Sequence, residues 1–284
     1  MPTAAVAPRY GRVAMIGKPS SAEIAASLRE LRAFLGARGC EALDAERASS
    51  ADLAIVIGGD GTMLAAARDL VRHHVPLVGI NQGRVGFMTD IGQSDMLAGV
   101  GAILEGRGSV EERSLLDAEI LRGEKSILRT LALNEAVLGK GAQGRLIEFS
   151  LSLDGEYVYT LRADGVIVAT PTGSTAYAMS AQGPILHPAV PALALVPLNP
   201  HTLSARPVSV SDRSVIEIVL LRAMDARAHF DGFALTDMAE GDRLLLRRSA
   251  DTVRFVHPPG YRYFATLREK LRWSEALEKH SEPE

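Results

Sequence analysis

The sequence of 284 residues has a single cysteine and few aromatic residues, 5% of the chain. Cys40 alone excludes an internal disulfide and a zinc site built on several cysteines, which favours a reducing, cytoplasmic location. The longest candidate apolar run, 189–198, is interrupted by Pro191 and Pro197. It is shorter than the ~18 residues of a membrane helix. The N-terminus also lacks the pattern of a secretion signal. We therefore expect no membrane partner.

Neither sign of charge dominates the chain, which has 31 Lys and Arg against 34 Asp and Glu. The resulting formal charge of −3 argues against nucleic-acid binding through a general basic field, although a local phosphate site stays open. None of the seven histidines has a metal-ligand spacing such as His-Glu-x-x-His, so no histidine metal site is predicted. The length allows one large domain or two smaller ones.

Up to about residue 110, short apolar runs alternate with helical patterns, which is typical of βαβ units on a parallel sheet. The strands are expected at 12–16, 53–57 and 75–80. Ser20 and Glu23 form a capping box that opens a helix. A second helix is expected from Met63 to about His73. This part of the chain is predicted to be an α/β domain, 1–110.

From about 110 to 257 the pattern is nearly all β. Asp154-Gly155 between two β-rich stretches predicts a two-residue hairpin, and Asp231-Gly232 is a second candidate. One helical interruption is expected after residues 170–175. Thr266 and Glu269 form a further capping box for a C-terminal helix. We predict a β-rich domain, 111–264, and a helix, 265–284, that returns to the first domain.

The sharpest chemical signal is Gly58-Gly59-Asp60-Gly61-Thr62, between a buried strand and a helix. Glycines allow a phosphate close to the backbone, and a helix N-terminus offers N–H groups and a positive dipole end. Thr62 is a good candidate N-cap. The alternative is a tight turn with no ligand. The pattern is neither a Walker A loop nor a Rossmann fingerprint. Asp60 is predicted to be a general base toward a hydroxyl or a contact to magnesium.

Two further polar clusters interrupt the β-rich region. Asn134-Glu135 lies in an apolar stretch, where the two side chains either bind a ligand or hydrogen-bond locally. Asp164 and the stretch 170–177 combine a carboxylate, hydroxyls and Gly173. Such a loop either wraps a nucleotide or simply caps a helix.

Long stretches of the sequence resemble the bacterial NAD kinase family. They span nearly the whole chain in the family's order: Gly58–Thr62, 81–90 (NQGRVGFMTD), Asn134-Glu135, 164–182 (DGVIVATPTGSTAYAMSAQ), 197–207 (PLNPHTLSARP) and 267–271. The resemblance implies an N-terminal Rossmann-like α/β domain and a C-terminal β-sandwich-like domain, with an active site between them. It also implies a homo-oligomer, a dimer or tetramer, whose neighbouring subunit contributes to the dinucleotide site.

The resemblance also implies roles for individual residues. Asp60 would be the catalytic base, Gly61 would contact the dinucleotide, and Asn134 and Glu135 would hold ribose hydroxyls. The remaining implied NAD-binding residues are Arg145, Arg162, Asp164, Thr172, Gly173, Ser174, Thr175, Ala176 and Tyr177, and the implied phosphate loop is Gly58, Gly59, Gly61 and Thr62. The chain departs from the family at Phe233, where a glutamine often follows Asp231-Gly232.

The activity that the resemblance implies is transfer of a phosphoryl group from ATP, or another donor, to the 2′-hydroxyl of the adenosine ribose of NAD. A divalent cation, Mg²⁺, would neutralise the phosphate charge. Two alternatives stay open. Diacylglycerol and sphingolipid kinases share the Gly-Gly-Asp-Gly-Thr loop, but their Asn-Glu pair follows it almost directly. A non-catalytic NADP-binding regulator would keep the fold and lose turnover.

Overall fold

A computed structural model describes residues 9–18, 21–83, 86–142 and 144–273. The chain divides into two compact units, the described parts of Met1–Glu112 with Val253–Glu284, and Arg113–Thr252. Among the helices that the structure describes, none combines the length and apolar composition needed to cross a bilayer.

The first unit is built on a parallel sheet, as the alternation of apolar runs and helical patterns predicts. Its strands run in the order β2-β1-β3-β4, and β5 pairs with β4 beyond them. All five residues of β3 are buried, which fits its continuous apolar sequence. The elements are β1 (Arg12–Gly17), α1 (Ala22–Ala37), β2 (Glu41–Leu43), β3 (Leu53–Ile57), α2 (Asp60–Leu70), β4 (Leu77–Asn81), β5 (Ile91–Gly92) and α3 (Met96–Leu104).

The second unit contains two antiparallel sheets. The first has the order β10-β9-β14-β17 with β6 beside β17 and β7 beside β6, and the second has the order β13-β12-β11-β8-β15-β16. Of these strands, β6 begins and β17 ends in the first unit. Their elements are β6 (Ser109–Arg122), β7 (Lys125–Ala132), β8 (Glu135–Lys140), β9 (Ile147–Leu153), β10 (Glu156–Ala163), β11 (Gly165–Ala169), α4 (Tyr177–Ser180), β12 (Ala192–Leu198), β13 (Val208–Ser211), β14 (Ile216–Arg222), β15 (Ala226–Phe230), β16 (Ala234–Met238) and β17 (Arg243–His257).

One apolar core joins the two sheets of the second unit. Phe149 and Ile218 of the first sheet pack in the same cluster as Leu138 and Val166 of the second. The opposite face of the second sheet is covered by the segment that includes Ala178 and Leu186. The strands therefore form a sandwich, and this confirms the predicted β-sandwich-like character of the C-terminal part.

Both predicted hairpin turns are present. Asp154-Gly155 joins β9 to β10 as a two-residue connection, whereas β15 and β16 are joined by three residues, Asp231, Gly232 and Phe233. The Asp and the Gly of both turns have positive φ. Positive φ at both central positions is what a two-residue hairpin of this kind requires, and Asp-Gly adopts it readily. After β17 the chain continues into α5 (Tyr263–Leu271).

The predicted helix caps are wrong at three places. Ser21 caps α1, its Oγ accepting from the N–H of Ile24, and Ser20 lies outside the described residues. Helix α2 begins at Asp60 with Gly59 as N-cap, so Thr62 lies inside the first turn. A carboxylate is favourable in a first turn, which allows this early start. Helix α5 begins at Tyr263, so Thr266 is an interior residue whose hydroxyl lies 3.5 Å from the Arg262 carbonyl.

Candidate functional site

The turn from Gly58 to Thr62 lies between β3 and α2 in the first unit. A side chain at Gly59 or Gly61 would meet no atom of the described residues within 4 Å, so both positions are open to a ligand. Gly58 instead packs against Thr62, whose Oγ1 would lie 2.6 Å from a Cβ at position 58. The N–H groups of Thr62 and Met63 both donate to the carbonyl of Gly59, at 2.9 and 3.2 Å. The N–H groups before them precede the first of these bonds, so this open turn can accept a phosphate there.

Asp60, the first residue of α2, is held by the segment 87–89. Its Oδ2 accepts from the N–H of Phe87 at 2.9 Å, and its Oδ1 accepts from the N–H of Met88 at 3.1 Å. Its Oδ1 also lies 3.3 Å from the Thr89 hydroxyl, which donates to it. A carboxylate offers about four acceptor positions, and the described residues occupy three of them, so one remains on Oδ2 as far as the described part of the chain shows. That position can take the proton of a hydroxyl group.

Gly86 lets this segment approach Asp60. A Cβ at position 86 would lie 1.9 Å from the Oδ1 of Asp60 and 2.7 Å from its Oδ2. Thr89 completes the network, because its Oγ1 accepts from the Nδ2 of Asn81 at 2.9 Å and from the N–H of Gly86 at 3.2 Å. The stretch 81–90 therefore supplies the surroundings of Asp60. Its residues Arg84 and Val85 lie outside the described part of the chain.

In the second unit, Asp231 fixes the backbone around Asn134 and Glu135. Its carboxylate accepts from the N–H groups of Leu133, Asn134 and Glu135 at 2.7, 2.8 and 3.0 Å. Asp231 occupies the turn between β15 and β16, and β15 pairs with β8, which begins at Glu135. Three N–H groups from consecutive residues thus converge on one side chain.

The Asn134 and Glu135 side chains are both buried. Within the described residues, neither the Oδ1 of Asn134 nor the Oε2 of Glu135 has a hydrogen-bond partner. Burial, followed by the nearby charge of Asp231, raises the pKa of Glu135 from 4.5 to about 7. Buried polar atoms without partners are costly, so these two acceptors fit a ligand that donates hydrogen bonds.

Glu135 opens onto a cavity of about 380 Å³ within the second unit. The polar residues around it include Lys140, Asp164, Asn199 and His229, and the half-exposed ring of Tyr177 forms part of its wall. Side chains alternate along a strand, so Glu135, Val137 and Gly139 of β8 share this face while Ala136 and Leu138 enter the core. The cavity has the size and mixed lining of a small-molecule site.

Asp164 is oriented by two neighbours. Its carboxylate lies 2.6 Å from the Nζ of Lys140 and accepts from the Nδ2 of Asn199 at 2.9 Å. The hydrogen bond from Lys140 and then that from Asn199 lower the pKa of Asp164, so it is ionised at neutral pH. Burial, followed by the charge of Arg227, lowers the pKa of His229, which favours a neutral imidazole beside the same cavity.

The loop 170–177 is anchored to Asn134. A Cβ at Gly173 would lie 2.0 Å from the carbonyl oxygen of Asn134, so glycine is required there by close approach. Thr172 accepts from the Nη1 of Arg113 at 3.3 Å, and Ser174 is buried and bonded to Leu186. The Thr175 hydroxyl donates to the carbonyl of Thr172 at 3.1 Å, and Ala176 is half-buried. Of this loop, Tyr177 alone lines the 380 Å³ cavity within the described residues.

Arg145 and Arg162 line a different cavity of about 480 Å³, together with Arg222. The structure therefore brings Glu135, Asp164 and Tyr177 together and places these two arginines apart from them. Because the two arginines lie at a different cavity from Glu135, their role in dinucleotide binding stays a prediction.

Sequence reasoning missed four residues of the second unit. Asp231 was interpreted as a turn residue alone, and Lys140, Asn199 and His229 were not singled out. For His229 a signal was present: in β15, Ala226, Ala228 and Phe230 enter the core, which places His229 on the polar face. Strand alternation would have found it.

The chain was compared with models of known families. The model described as the ATP-NAD kinase N-terminal domain matches residues 13–107, and the one described as the ATP-NAD kinase C-terminal domain matches residues 133–258. Among curated relatives, the NAD kinase of Aromatoleum aromaticum is 56% identical over 281 residues, covering 92% of this chain and 94% of the relative. The NAD kinase of Azoarcus sp. strain BH72 is 52% identical, covering 96% and 99%.

Two solved structures are also similar. Yeast NADH kinase complexed with NADH has a TM-score of 0.81 at 23% identity, covering 98% of this chain and 90% of that one, and it supports the fold alone. An NAD kinase from Archaeoglobus fulgidus in complex with ATP has a TM-score of 0.78 at 27% identity, covering 92% and 98%.

Proposed function

The chain belongs to the NAD kinase family, and from this premise we propose that it transfers a phosphoryl group from ATP to the 2′-hydroxyl of the adenosine ribose of NAD, forming NADP. The observation that carries this proposal is Asp60, a carboxylate with one open acceptor position at the start of a helix whose N-terminal glycines admit phosphate. A base and a phosphate-binding turn in one short segment are the parts that phosphorylation of a hydroxyl needs.

Asp60 acts as the general base. The attacking hydroxyl donates to the open position on Oδ2 and passes its proton there. As the new O–P bond to the γ-phosphorus forms, the bond from that phosphorus to the bridging oxygen of ATP breaks, and ADP leaves. The hydrogen bonds from Phe87, Met88 and Thr89 hold the carboxylate in one orientation during the transfer. The N–H groups at the start of α2, with Gly58, Gly59, Gly61 and Thr62 around them, bind phosphoryl oxygens. Positioning and electrostatics carry the reaction, so no covalent intermediate is needed.

The second unit binds the dinucleotide. The unpartnered oxygens of Asn134 and Glu135 accept from ribose hydroxyls, and the exposed ring of Tyr177 stacks on the adenine. Asp164, ionised beside Lys140, adds an oriented acceptor. We extend the same proposal to the other residues that the family pattern implies: Gly61, Arg145, Arg162, Thr172, Gly173, Ser174, Thr175 and Ala176.

Magnesium enters with the triphosphate as part of the donor substrate. Throughout the described ranges, no three His, Cys, Asp or Glu side chains lie together as a metal cage. Mg²⁺ is commonly bound by substrate phosphates and retained waters with only one or two carboxylates. When bound, the ion neutralises charge on the phosphates.

We further propose that the enzyme is cytoplasmic and works as a dimer or tetramer. The single buried Cys40 supports a reducing compartment. For the oligomer, sedimentation at the assay concentration should show a dimer or tetramer as the active species. A fully active monomer would contradict this proposal.

The central test is Asp60→Asn in a coupled assay of NADP formation. A positioned general base contributes about 10²–10⁴-fold, so turnover should fall by that factor. Asp69→Asn is the matched control, because Asp69 lies on the same helix, paired with Arg68 on its exposed surface. That variant should keep wild-type turnover.

Other results would point elsewhere. Turnover within tenfold of the wild type would make Asp60 a structural turn residue. A wild-type protein that binds NADP without forming it would be the regulator, and one that phosphorylates diacylglycerol or sphingosine in place of NAD would be the lipid kinase.

A further inference from the structure

Two buried titratable groups, His257 and Asp90, and the partly buried Glu111 lie together in the first unit, outside the parts used above. His257, the last residue of β17, lies with its Nδ1 2.8 Å from the Oδ2 of Asp90 and its Nε2 3.0 Å from the Oε2 of Glu111. The side chains of His257 and Asp90 are 5% and 7% exposed. The ring of Tyr261 stacks on the imidazole, with centroids 3.7 Å apart. We call His257, Asp90 and Glu111 the histidine clamp.

Each ring nitrogen of His257 faces a carboxylate oxygen, and both nitrogens donate only when the imidazole is protonated. Burial opposes that charge, but the hydrogen bonds to Asp90 and Glu111 outweigh it and raise the pKa of His257. A buried cation between two carboxylates is a rigid arrangement, because moving any member leaves a buried charge without its partner.

The clamp is one residue away from the network around Asp60. Asp90 directly follows Thr89, and the segment 87–89 supplies all three hydrogen bonds to the Asp60 carboxylate described above. Strand β5 begins at Ile91, which pairs with Ile80 of β4. Strand β17 also pairs with β4, where Phe255 lies opposite Leu77. The sheet therefore brings His257 to the end of the segment that orients Asp60.

We propose that His257 is a positioning residue for the Asp60 carboxylate, acting through Asp90 and the backbone of residues 87–89. This inference rests on the proposed role of Asp60 as the base. Without the clamp, Asp90 loses its buried partner, and the N–H groups of Phe87 and Met88 lose the anchor that fixes their distance from Asp60. The binding residues of the second unit play no part in it, so turnover should change and NAD binding should not.

The test is His257→Gln, measured alone and combined with Asp60→Asn. Misplacing a reacting group by about 1 Å costs up to about 100-fold, so His257→Gln should lower kcat about 10- to 100-fold and leave the KM for NAD within threefold. In the Asp60→Asn background, His257→Gln should lower kcat less than twofold, because the base it positions is absent. A merely structural role would reduce activity by the same factor in both backgrounds.

Asp52→Asn is the matched control. The Asp52 carboxylate also anchors backbone in the first unit, accepting from Gly11 and Arg12. It is not part of the Asp60 network, and its loss should leave kcat unchanged. If His257→Gln does not fold, Asp90→Asn takes its place, since it keeps the shape and removes one charge of the clamp. The same dependence on Asp60 is expected, with a smaller fall in kcat.

Amide hydrogen exchange supplies a readout that needs no activity. His257→Gln should speed exchange at Phe87 and Met88 relative to Asp52→Asn, because their hydrogen bonds to Asp60 are loosened. If the wild type forms no NADP but exchange changes as expected, the proposed function fails and the clamp stands. Unchanged exchange, kcat within twofold of the wild type, or equal losses in both backgrounds would each overturn the inference.

Discussion

Glu135→Gln tests whether the buried carboxylate of Glu135 lowers the stability of the free protein and serves to bind its ligand. Glu135 is 9% exposed, and burial followed by Asp231 raises its pKa from 4.5 to about 7. Glutamine has nearly the same shape and does not titrate. The variant therefore removes the dependence of stability on pH that Glu135 creates, while leaving the other titrating groups in place.

The sign and size of the effect follow from linkage between protonation and folding. Because the folded pKa lies above the unfolded one, Glu135 contributes stability below pH 4.5, and that stability is lost as pH rises through about 7. A pKa difference of this size corresponds to about 3 kcal/mol over the whole titration. Glutamine changes the free energy of unfolding by the same amount at every pH, because its amide also lacks a partner and does not titrate. The free energy of unfolding of Glu135→Gln, minus that of the wild type, should therefore rise by up to about 3 kcal/mol from pH 4.5 to 8.

Urea unfolding of both proteins at pH 5, 6, 7 and 8 measures this difference directly. Glu156→Gln is the control, because Glu156 is exposed on β10 and its replacement should give a difference that is independent of pH. His257, whose pKa is also raised, is present in every protein and cancels in the comparison. A constant difference for Glu135→Gln, or one that falls with pH, would refute the reasoning.

The same variant should weaken NAD binding. Ribose hydroxyls that donate to an ionised Glu135 make hydrogen bonds to a charged group, worth about 1.5–3 kcal/mol each. The KM for NAD should then rise about tenfold or more above pH 7.5, and by less below pH 6, where Glu135 is protonated in the wild type. Equal KM values for variant and wild type at pH 8 would contradict the proposed contact.

Two further substitutions test single contacts. Gly86→Ala should lower turnover at least tenfold in the coupled assay, because its Cβ would lie 1.9 Å from Asp60. Gly36→Ala, whose Cβ would meet no atom of the described residues within 4 Å, should keep turnover unchanged, and equal turnover for both variants would contradict the close approach. Phe233→Gln should change the KM for NAD and leave turnover within a few-fold of the wild type. Phe233 is exposed beside the Asp231 turn, where a contact would stabilise the bound substrate and the transition state equally. A loss of turnover at constant KM would show that Phe233 has a different role.

The sequence predicted the elements whose signals are local. The buried run 53–57 became β3 without a change of bounds, because a continuous apolar run before a glycine turn has few other solutions. The Asp-Gly turns were found because positive φ restricts their residue types. Helix starts were harder, since Ser, Thr and Gly compete for the N-cap. In α2 the N-cap is Gly59, three residues before the predicted Thr62.

The contacts of the candidate site could not be predicted, because they join residues that are distant in sequence. The sequence suggested a chemical role for Asp60 but not its partners, which belong to a segment 27–29 residues away. Asparagine there would turn an N–H group toward one of these donors, so some loss of stability should accompany the loss of turnover. Asp231 likewise acts on residues almost a hundred positions earlier.

The two carboxylates of the proposed mechanism have opposite hydrogen-bonding surroundings. Asp60 receives three hydrogen bonds, which fix its direction, as a base that must meet the incoming hydroxyl in one orientation requires. Glu135 sits in a buried pocket with its Oε2 unpartnered among the described residues, and the charge of Asp231 adds to the cost of ionising it. That cost is relieved when a donor occupies the pocket, so ionised Glu135 discriminates in favour of a ligand with hydroxyl groups at that place. One carboxylate is thus prepared for the chemical step and the other for recognition, and exchanging their environments would impair both.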